Sequence, residues 1–419
     1  MESSGPLSVP AFRSLWAAGV ISEAGDWLLL VALPIVVFAL TGSALGTAVA
    51  FAAELGPGIL LAPVAGRLAD AFDRRRLMIA VSVLQAAALL PLLLVGDRQD
   101  LAIVYAVIVA QASLAALFVP AKNAVVPSLV DARQLVSANS LVGLGAAVGR
   151  LVGGPLGGLL LAAGSLRAIV VADAASFIVA AVLIARVPRV RDGRVPGARP
   201  RLSDAKLRVA LRSGRTRAAF LVAFVASTAQ GIFLVLFIVF VARRLQGGAA
   251  EIGLLRGVQA VGAIGGGLLL AARGARWRPV ALVAAAAIAF GVVDLAIWNG
   301  PAVTRAEAFY AALFVLAGAP GVMMEAGGIS FLHQGVIENE RGRVFAALGV
   351  AENAGAALGV TVAGVLTAPL GLMAMLNAQG ALYLLSGLLV VLFALRAGRM
   401  AAAPAKARPA ATAQPRVAP

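Results

Sequence analysis

Long apolar segments almost free of charge recur along the whole sequence, and few folds can accommodate them. Residues 77–95 contain no charged side chain, and residues 43–65 contain only Glu54. A helix of about 20 such residues crosses the ~30 Å hydrocarbon core of a bilayer. Charged residues make up 13% of the 419 positions, roughly half the share found in soluble domains. The sequence therefore predicts an all-α, polytopic membrane protein.

Twelve segments of this kind are predicted to span the membrane. In the first half they lie at residues 15–40, 43–65, 77–95, 101–119, 139–163 and 168–187. In the second half they lie at residues 218–241, 252–272, 279–298, 306–327, 343–366 and 379–395. We therefore expect two pseudo-symmetric six-helix bundles, formed by residues 1–187 and 218–395. A basic cytoplasmic linker, 188–217, would join them, and an Ala- and Pro-rich tail, 396–419, would be disordered.

Lys and Arg are concentrated in alternate connecting segments. If both termini are cytoplasmic, 28 of the 35 Lys and Arg residues fall in inner segments and five in outer loops. Such a bias fixes the orientation of a membrane protein. It predicts a multi-pass membrane protein with cytoplasmic termini, whose basic segments lie against anionic inner-leaflet lipids. The same bias also accounts for the net charge of +16 without a nucleic-acid partner. The Ala-, Gly- and Arg-rich composition suggests a bacterial source and hence the bacterial cytoplasmic membrane.

The residue inventory excludes most enzyme chemistry. The chain has no cysteine and one histidine, so thiol chemistry is excluded and little remains to bind a metal. It also lacks the Gly-x-x-x-x-Gly-Lys pattern that cradles nucleotide phosphates. We expect no enzyme activity, no cofactor and no metal. A small-molecule substrate is the expected partner, and a monomer is the default state.

A short, strongly charged stretch follows the second predicted segment. Its order of glycine, acid and arginine cluster is given by Gly66, Asp70, Asp73, Arg74, Arg75 and Arg76. This order resembles the signature loop between helices two and three of the major facilitator superfamily. Its ending is similar to that of the drug-efflux branch, which includes macrolide and siderophore exporters and drug:proton antiporters. Asp73 replaces a glycine that is usual in the family, and Asp tolerates a left-handed turn better than most residues.

The resemblance implies that this loop is a conformational latch. Asp70 would lie at the inner N-terminus of helix eleven, where the helix dipole favours an anion. The arginines would pair with neighbouring acids. Such a latch would stabilise the outward-facing state and break when the two halves rock. An inert positively charged anchor would explain the arginines but not Asp70.

Two further stretches support the resemblance. The fifth segment contains a run similar to the glycine- and proline-rich motif of the superfamily's antiporters, with Arg150, Gly154, Pro155, Gly157 and Gly158. Close packing of two helices would explain the same small residues. Residues 119–140 resemble the loop between helices four and five of macrolide-efflux exporters. The arginine that many antiporters carry in helix four is absent, and Gln111 and Ser113 are the polar candidates in that span.

Acidic residues inside the predicted spans are the candidates for function. A charge at mid-membrane costs at least about 2.5–3.5 kcal/mol, so each acid needs a partner, a proton or a watery cavity. Glu23 and Asp26 lie three residues apart on one helix face, where they could exchange protons or attract a cation. Glu54 and Glu352 are further candidates for proton coupling or substrate binding.

The remaining buried charges are expected to have structural roles. Asp173 and Asp294 are expected near the outer ends of their helices, at the membrane interface. Glu325 is expected near the inner end of helix ten. Arg150 and Arg256 are expected to neutralise one of the acids.

Together these features predict a secondary transporter. It would export drug-like or amphipathic small molecules by proton antiport and alternating access, with the proton gradient as its energy source. One alternative is a dedicated exporter of a single endogenous metabolite, such as a siderophore. A second alternative, from a different class, is a non-transporting membrane sensor or scaffold.

Overall fold

The computed structural model describes residues 5–188, 214–333 and 341–402. Within these ranges the chain is helical with short links and contains no strand. Most of the predicted basic linker and most of the predicted tail lie outside the described residues.

Twelve long helices form the described part of the protein. They are α1 (Pro10–Thr41), α2 (Ala44–Leu60), α3 (Arg74–Leu89), α4 (Leu101–Leu129), α5 (Leu135–Ala162), α6 (Leu166–Ala185), α7 (Gly214–Phe240), α8 (Ala249–Arg273), α9 (Pro279–Asn299), α10 (Glu307–His333), α11 (Arg341–Leu370) and α12 (Leu372–Ala402). All twelve form segments long and apolar enough to cross a membrane. The predicted all-α membrane architecture is confirmed.

The helices run alternately between two ends of the bundle, which we name by their connections. The linker end is where α6 ends at Ala185 and α7 begins at Gly214. The hairpin end is the opposite one, where α1 ends at Thr41 and α7 ends at Phe240.

Helix α4 is longer than the sequence predicts. It runs to Leu129 and includes both Pro120 and Pro127, so the predicted loop between helices four and five is wrong over residues 120–129. Proline is tolerated in membrane helices where neighbours satisfy the freed backbone groups. The extension also buries Val125 and Val126 in an apolar cluster with α1 and α6, and this burial favours the helix over a loop.

The charged stretch after α2 is also more helical than expected. A short helix, Ala62–Ala71, contains Gly66 and Asp70, so the predicted loop is confined to the link between this helix and α3. Asp73 is not in a left-handed turn, because its φ is −57°. Its carboxylate instead accepts a hydrogen bond from the backbone N–H of Arg76 at 2.8 Å. Asp73 is thus the N-cap of α3, a role that a side-chain oxygen fills.

Arg75 connects α3 to the end of α6. Its guanidinium donates to the carbonyl oxygens of Ile184, at 3.4 Å, and Ala185. These carbonyls lie at the helix C-terminus, where a cation is favoured by the dipole and satisfies unpaired acceptors. In this arrangement Arg75 caps a helix end, and its pairing with an acid stays a prediction. Arg76 is exposed and Arg74 is half-buried.

Two glycine faces of α5 hold it against two different helices. Gly153 and Gly157 face the backbone of α1, whereas Gly154 and Gly158 face α8 at Gly253. Helix α11 is the counterpart of α5 in the second half, and it likewise packs against two helices, α7 of its own half and α2 of the first half. Small residues allow such close approach in lipid, where apolar surfaces gain nothing by leaving the solvent. The α5–α8 and α2–α11 contacts join the first six helices to the last six.

The closest approach of α5 and α8 leaves no room for a methyl group at Gly158. A Cβ there would overlap the carbonyl oxygen of Ala249 and lie 2.7 Å from the Cα of Gly253. A Cβ at Gly154 would come no closer than 3.7 Å to any atom. We therefore expect Gly158→Ala to destabilise the protein by about 1–3 kcal/mol, the usual cost of overpacking, and Gly154→Ala to be tolerated. Thermal unfolding of both purified variants measures the difference; equal unfolding temperatures would contradict the packing.

Candidate functional site

A large cavity lies between the first six and the last six helices. Its volume is about 710 Å³. Near the linker end it is lined by Ala218, Phe331, Phe345 and Phe393. Its deeper part is lined by Trp27, Phe51, Glu54, Arg150, Gln230, Leu234, Arg256, Gln259 and Tyr383. The walls therefore combine aromatic and aliphatic surface with a small number of charged and amide groups, which is typical of a small-molecule site.

An apolar cluster closes the bundle beyond this cavity, at the hairpin end. It combines Val31 and Ala48 of the first half with Phe233, Phe237 and Phe240 of α7. The rings of Phe233 and Phe237 are stacked with centroids 5.3 Å apart. This cluster separates the cavity from the hairpin end, while the cavity continues between helices towards the linker end.

A polar contact reinforces the closure. The Arg243 guanidinium, at the end of α7, donates to the carbonyl oxygen of Gly42 at 2.7 Å. It also lies over the ring of Phe38, 5.8 Å from the centroid. Arg243 therefore links the end of α7 to the connection between α1 and α2.

Two arginines reach the deep part of the main cavity from opposite halves. The Arg150 guanidinium of α5 lies over Trp27, 5.1 Å from the ring centroid. The Arg256 guanidinium of α8 lies 5.0 Å from the ring centroid of Phe233. Arg256 interacts electrostatically with Arg150, a second cation, and with Glu54. The expected neutralisation of an acid by either arginine stays a prediction.

Three acids share the walls of the main cavity. Glu54 contributes from α2, Glu325 from α10 and Glu352 from α11. Glu325 and Glu352 are exposed and interact electrostatically with each other. The α2 helix continues for six residues past Glu54, through Pro57 to Leu60, so Glu54 projects from an intact helix.

A second cavity lies within the first half. Its volume is about 300 Å³. The polar residues on its walls are Glu23, Asp26, Glu54, Gln85 and Gln111. The structure therefore brings three of the four sequence-predicted coupling residues together here, while Glu352 lies in the main cavity. Glu54 lines both cavities.

Asp173 lies behind this second cavity, in a place that the sequence did not predict. Asp173 lies in the hairpin-end half of α6, but its side chain is fully buried and accepts a hydrogen bond from Ser176 at 3.1 Å, so it is not a solvated interfacial acid. The α6 helix approaches α1 at Gly25, where a side chain would collide with Asp173 and Ser176. Asp173 and Glu23 both repel the charge of Asp26. Three carboxyl groups thus share one region, where ionising all three is unfavourable.

Lys122 is the cation of this region, and sequence analysis missed it. It was assigned to an inner loop, but it lies within α4 and lines a small pocket with Glu23. It attracts the charge of Asp26. The absence of an arginine in helix four is thus partly offset by a lysine of the same helix. Sequence analysis could have placed Lys122 in the membrane-spanning part only by extending the fourth helix through Pro120.

Asp294 lies near the hairpin end of α9, as the sequence predicts, but it is buried among protein side chains and not solvated. It is 2% exposed and accepts a hydrogen bond from Gln379 at 2.7 Å. Gln379 in turn accepts from the Trp298 indole at 2.8 Å. The nearby Tyr383 hydroxyl donates to Gln230 at 3.1 Å. These bonds connect α7, α9 and α12 behind the wall of the main cavity.

The latch residues are placed at the linker end, but their predicted pairing with helix eleven is not tested. Gly66 and Asp70 are helical, and their side-chain surroundings lie outside the described residues. The helix-five residues lie between the two halves, where Pro155 contacts Gly257 of α8. Their packing role is therefore clear, and their role in antiport stays a prediction.

Comparison with known proteins identifies the family. A family model for transmembrane secretion effectors of the major facilitator type matches residues 1–418. The chain belongs to this family of major facilitator transporters. The secretion-effector family and its structural neighbours are transporters and not enzymes, so the expectation of a non-enzymatic membrane transporter is confirmed.

Curated relatives of this transporter match part of the chain. An uncharacterised MFS-type transporter, YfiS, of Bacillus subtilis (strain 168) is 30% identical over 190 residues, 44% of this chain and 45% of that protein. Macrolide efflux protein A of Streptococcus pyogenes is 28% identical over 185 residues, 43% of this chain and 46% of that protein. The match thus spans less than half the length of these relatives.

Solved structures of other transporters share the fold. A bacterial homologue of the iron transporter ferroportin, in an inward-facing state, has a TM-score of 0.73 and 16% identity, over 91% of this chain and 98% of that one. The peptide transporter POT has a TM-score of 0.71 and 12% identity, over 95% and 99% of the two chains. At this identity the likeness shows the fold alone.

The contact of Arg243 predicts a measurable change in closure at the hairpin end. Because the chain has no cysteine, Ala48→Cys gives a single reporter at a side chain that is 4% exposed. We expect Arg243→Gln to speed thiol labelling of this reporter roughly three- to tenfold, since it removes a charged hydrogen bond. Arg244→Gln is the matched control, because Arg244 is exposed next to it. Equal labelling rates in the two variants would contradict a closing role for Arg243.

Proposed function

We propose that this transporter exports amphipathic, drug-like small molecules across the bacterial cytoplasmic membrane by proton antiport. The observation that carries the proposal is the main cavity, which reaches the linker end and is closed by the apolar cluster at the hairpin end. A substrate would enter this cavity from the cytoplasm, since the positive-inside bias assigns the linker end and both termini to that side.

Alternating access is the mechanism that we propose for release. The closure depends on non-covalent contacts between halves: the Arg243–Gly42 hydrogen bond and the glycine contacts of α5–α8 and α2–α11. Rocking of the two bundles would separate these contacts and open the cavity towards the hairpin end. Contact between the Asp70 latch and helix eleven would then form at the linker end.

Proton coupling is assigned to the acid cluster of the first half. Glu23, Asp26 and Asp173 surround a region with one cation, Lys122, so at least one proton bound to the acids would relieve their repulsion. Glu54 connects this cluster to the main cavity. A change in the protonation of the cluster would therefore change the electrostatic potential in the main cavity, where the substrate would bind. The proton gradient would be the energy source.

The choice of an efflux substrate rests on similarity and on the cavity walls. Macrolide efflux protein A, by its name, exports macrolides, and this chain matches part of it. Aromatic and aliphatic side chains, among them Phe51, Leu234 and Phe290, form much of the cavity wall. They suit an amphipathic molecule better than a small hydrophilic solute. A monomer in contact with anionic inner-leaflet lipids is the proposed functional form.

A dedicated metabolite exporter is the alternative that the same cavity could serve. Three neutral polar side chains, Gln230, Gln259 and Tyr383, converge on the cavity and could hold one preferred substrate. A sensor or scaffold has no need of a cavity of this size that reaches one end of the bundle.

The proposed orientation can be tested with single cysteines. Arg98 precedes α4 at the hairpin end and Arg133 follows it at the linker end, and both are exposed. We expect a membrane-impermeant maleimide to label Arg98→Cys in intact cells and Arg133→Cys only in everted vesicles. The reverse pattern would show that the positive-inside assignment is wrong.

Proton coupling can be tested in everted vesicles with a lumen acidified by respiration. We expect an exported compound to release luminal protons, and Asp26→Asn to reduce this release at least about tenfold, since a group that cannot ionise cannot carry the proton. Glu307→Gln, an exposed acid at the start of α10, is the matched control. Compound export without proton movement in the unmodified protein would reject antiport. Full proton release in Asp26→Asn would reject the role of Asp26.

A further inference from the structure

The proposed function does not explain the two arginines at the closed end of the main cavity. Arg150 and Arg256 come from opposite halves and interact electrostatically with each other. An arginine stays protonated at any physiological pH. Two permanent positive charges are thus held together inside the membrane-spanning bundle, where each is costly. Arg150 is exposed to the cavity and Arg256 is half-buried, so water or a bound group in the cavity must compensate the pair.

Aromatic rings and one acid compensate these charges only in part. Arg150 lies over Trp27, and Arg256 lies over Phe233 and Phe237 at 5.0 and 5.6 Å. A cation–π contact stabilises the charge but supplies no oxygen acceptor for the five N–H donors of a guanidinium. Neither arginine forms an ion pair with a carboxylate in the described part of the chain. Their donors therefore remain for a group that enters the cavity.

The charges of the cavity are separated along its depth. At a rise of 1.5 Å per residue, Arg150 lies about 22 Å and Arg256 about 25 Å from the linker ends of their helices. Glu325 and Glu352 lie at only about 12 and 16 Å. Glu54 is the acid that shares the deep part with the two arginines, so the closed end keeps an excess of positive charge. An anion therefore meets repulsion near the mouth of the cavity and a net attraction at its closed end.

The chemistry of this closed end defines its ligand. We infer that the closed end of the main cavity binds the anionic group of an amphipathic organic acid, such as an aromatic carboxylate, between Arg150 and Arg256. A guanidinium binds a carboxylate through two parallel hydrogen bonds. The apolar body of the ligand lies against Phe51 and Leu234, which share this part of the wall.

Binding at this position joins the two halves of the protein. Arg150 is on α5 and Arg256 on α8, the helices that meet at Gly158 and Gly253. An anion between the two guanidinium groups bridges these helices and stabilises the arrangement closed at the hairpin end. The inference rests on the proposed function in one respect, since it takes the main cavity to be the substrate site.

Three probes of matched shape test the charge preference on the purified full-length protein. They are radiolabelled naphthylacetate, naphthylacetamide and naphthylethylammonium, which are anionic, neutral and cationic. We expect naphthylacetate to bind at least about tenfold more tightly than the other two, the difference that one charged hydrogen-bond pair produces. Equal binding of all three probes, or preference for the cation, overturns the inference.

Four variants locate the site. Arg150→Gln and Arg256→Gln should each weaken naphthylacetate binding about tenfold or more and leave naphthylacetamide binding unchanged. Arg150→Lys and Arg256→Lys keep the charge and should retain part of the affinity, which separates loss of charge from misfolding. Arg98→Gln, an exposed cation at the hairpin end, is the matched control. Unchanged anion affinity in both Gln variants overturns the inference.

The inference and the proposed function fail in different ways. Tight naphthylacetate binding that depends on both arginines, in a protein that moves no protons, supports the anion site and rejects antiport. Proton-coupled export of cationic dyes, in a protein that does not prefer naphthylacetate, supports antiport and rejects the anion site.

Discussion

The hydrocarbon core of the bilayer imposes the constraint on which this structure depends. Backbone groups there must be satisfied within the protein, so the described spans are helices. In the same medium the hydrophobic effect does not drive helices together, so their association depends on close van der Waals packing. Glycine faces on α5 and α11 meet this need at the contacts between the two halves, and both sets of contacts lie towards the hairpin end. The cavity is left towards the linker end, where the helices are further apart.

The number of spans could be predicted because it depends on local composition. An apolar run of about 20 residues is informative by itself, and all twelve runs are helices in the structure. The bounds were less accurate where tertiary packing decides them. Burial of Val125 and Val126 extends α4 past Pro120, and no local signal favours helix over loop at a proline. Asp73 was recognised as a special position, but its N-cap role depends on where α3 begins.

The candidate site was harder to predict, because its members come from helices distant in sequence. Glu23, Asp26 and Glu54 could be selected by the cost of their charge, and they do line one cavity. Asp173 could not be placed beside them, since its position depends on the approach of α6 to Gly25. Arg150 and Arg256 were noticed as buried cations, but only the structure shows that they interact with each other across the two halves.

Glu54 is on the wall of both cavities, and this shared wall has a thermodynamic consequence. Binding free energies at two sites that act on one charge cannot be independent, and their coupling is reciprocal. Whatever the protonation of the first-half cluster does to the affinity of the main cavity, occupancy of the main cavity does to the proton affinity of the cluster. In the proposed mechanism, the Glu54 carboxylate supplies this linkage between the two cavities.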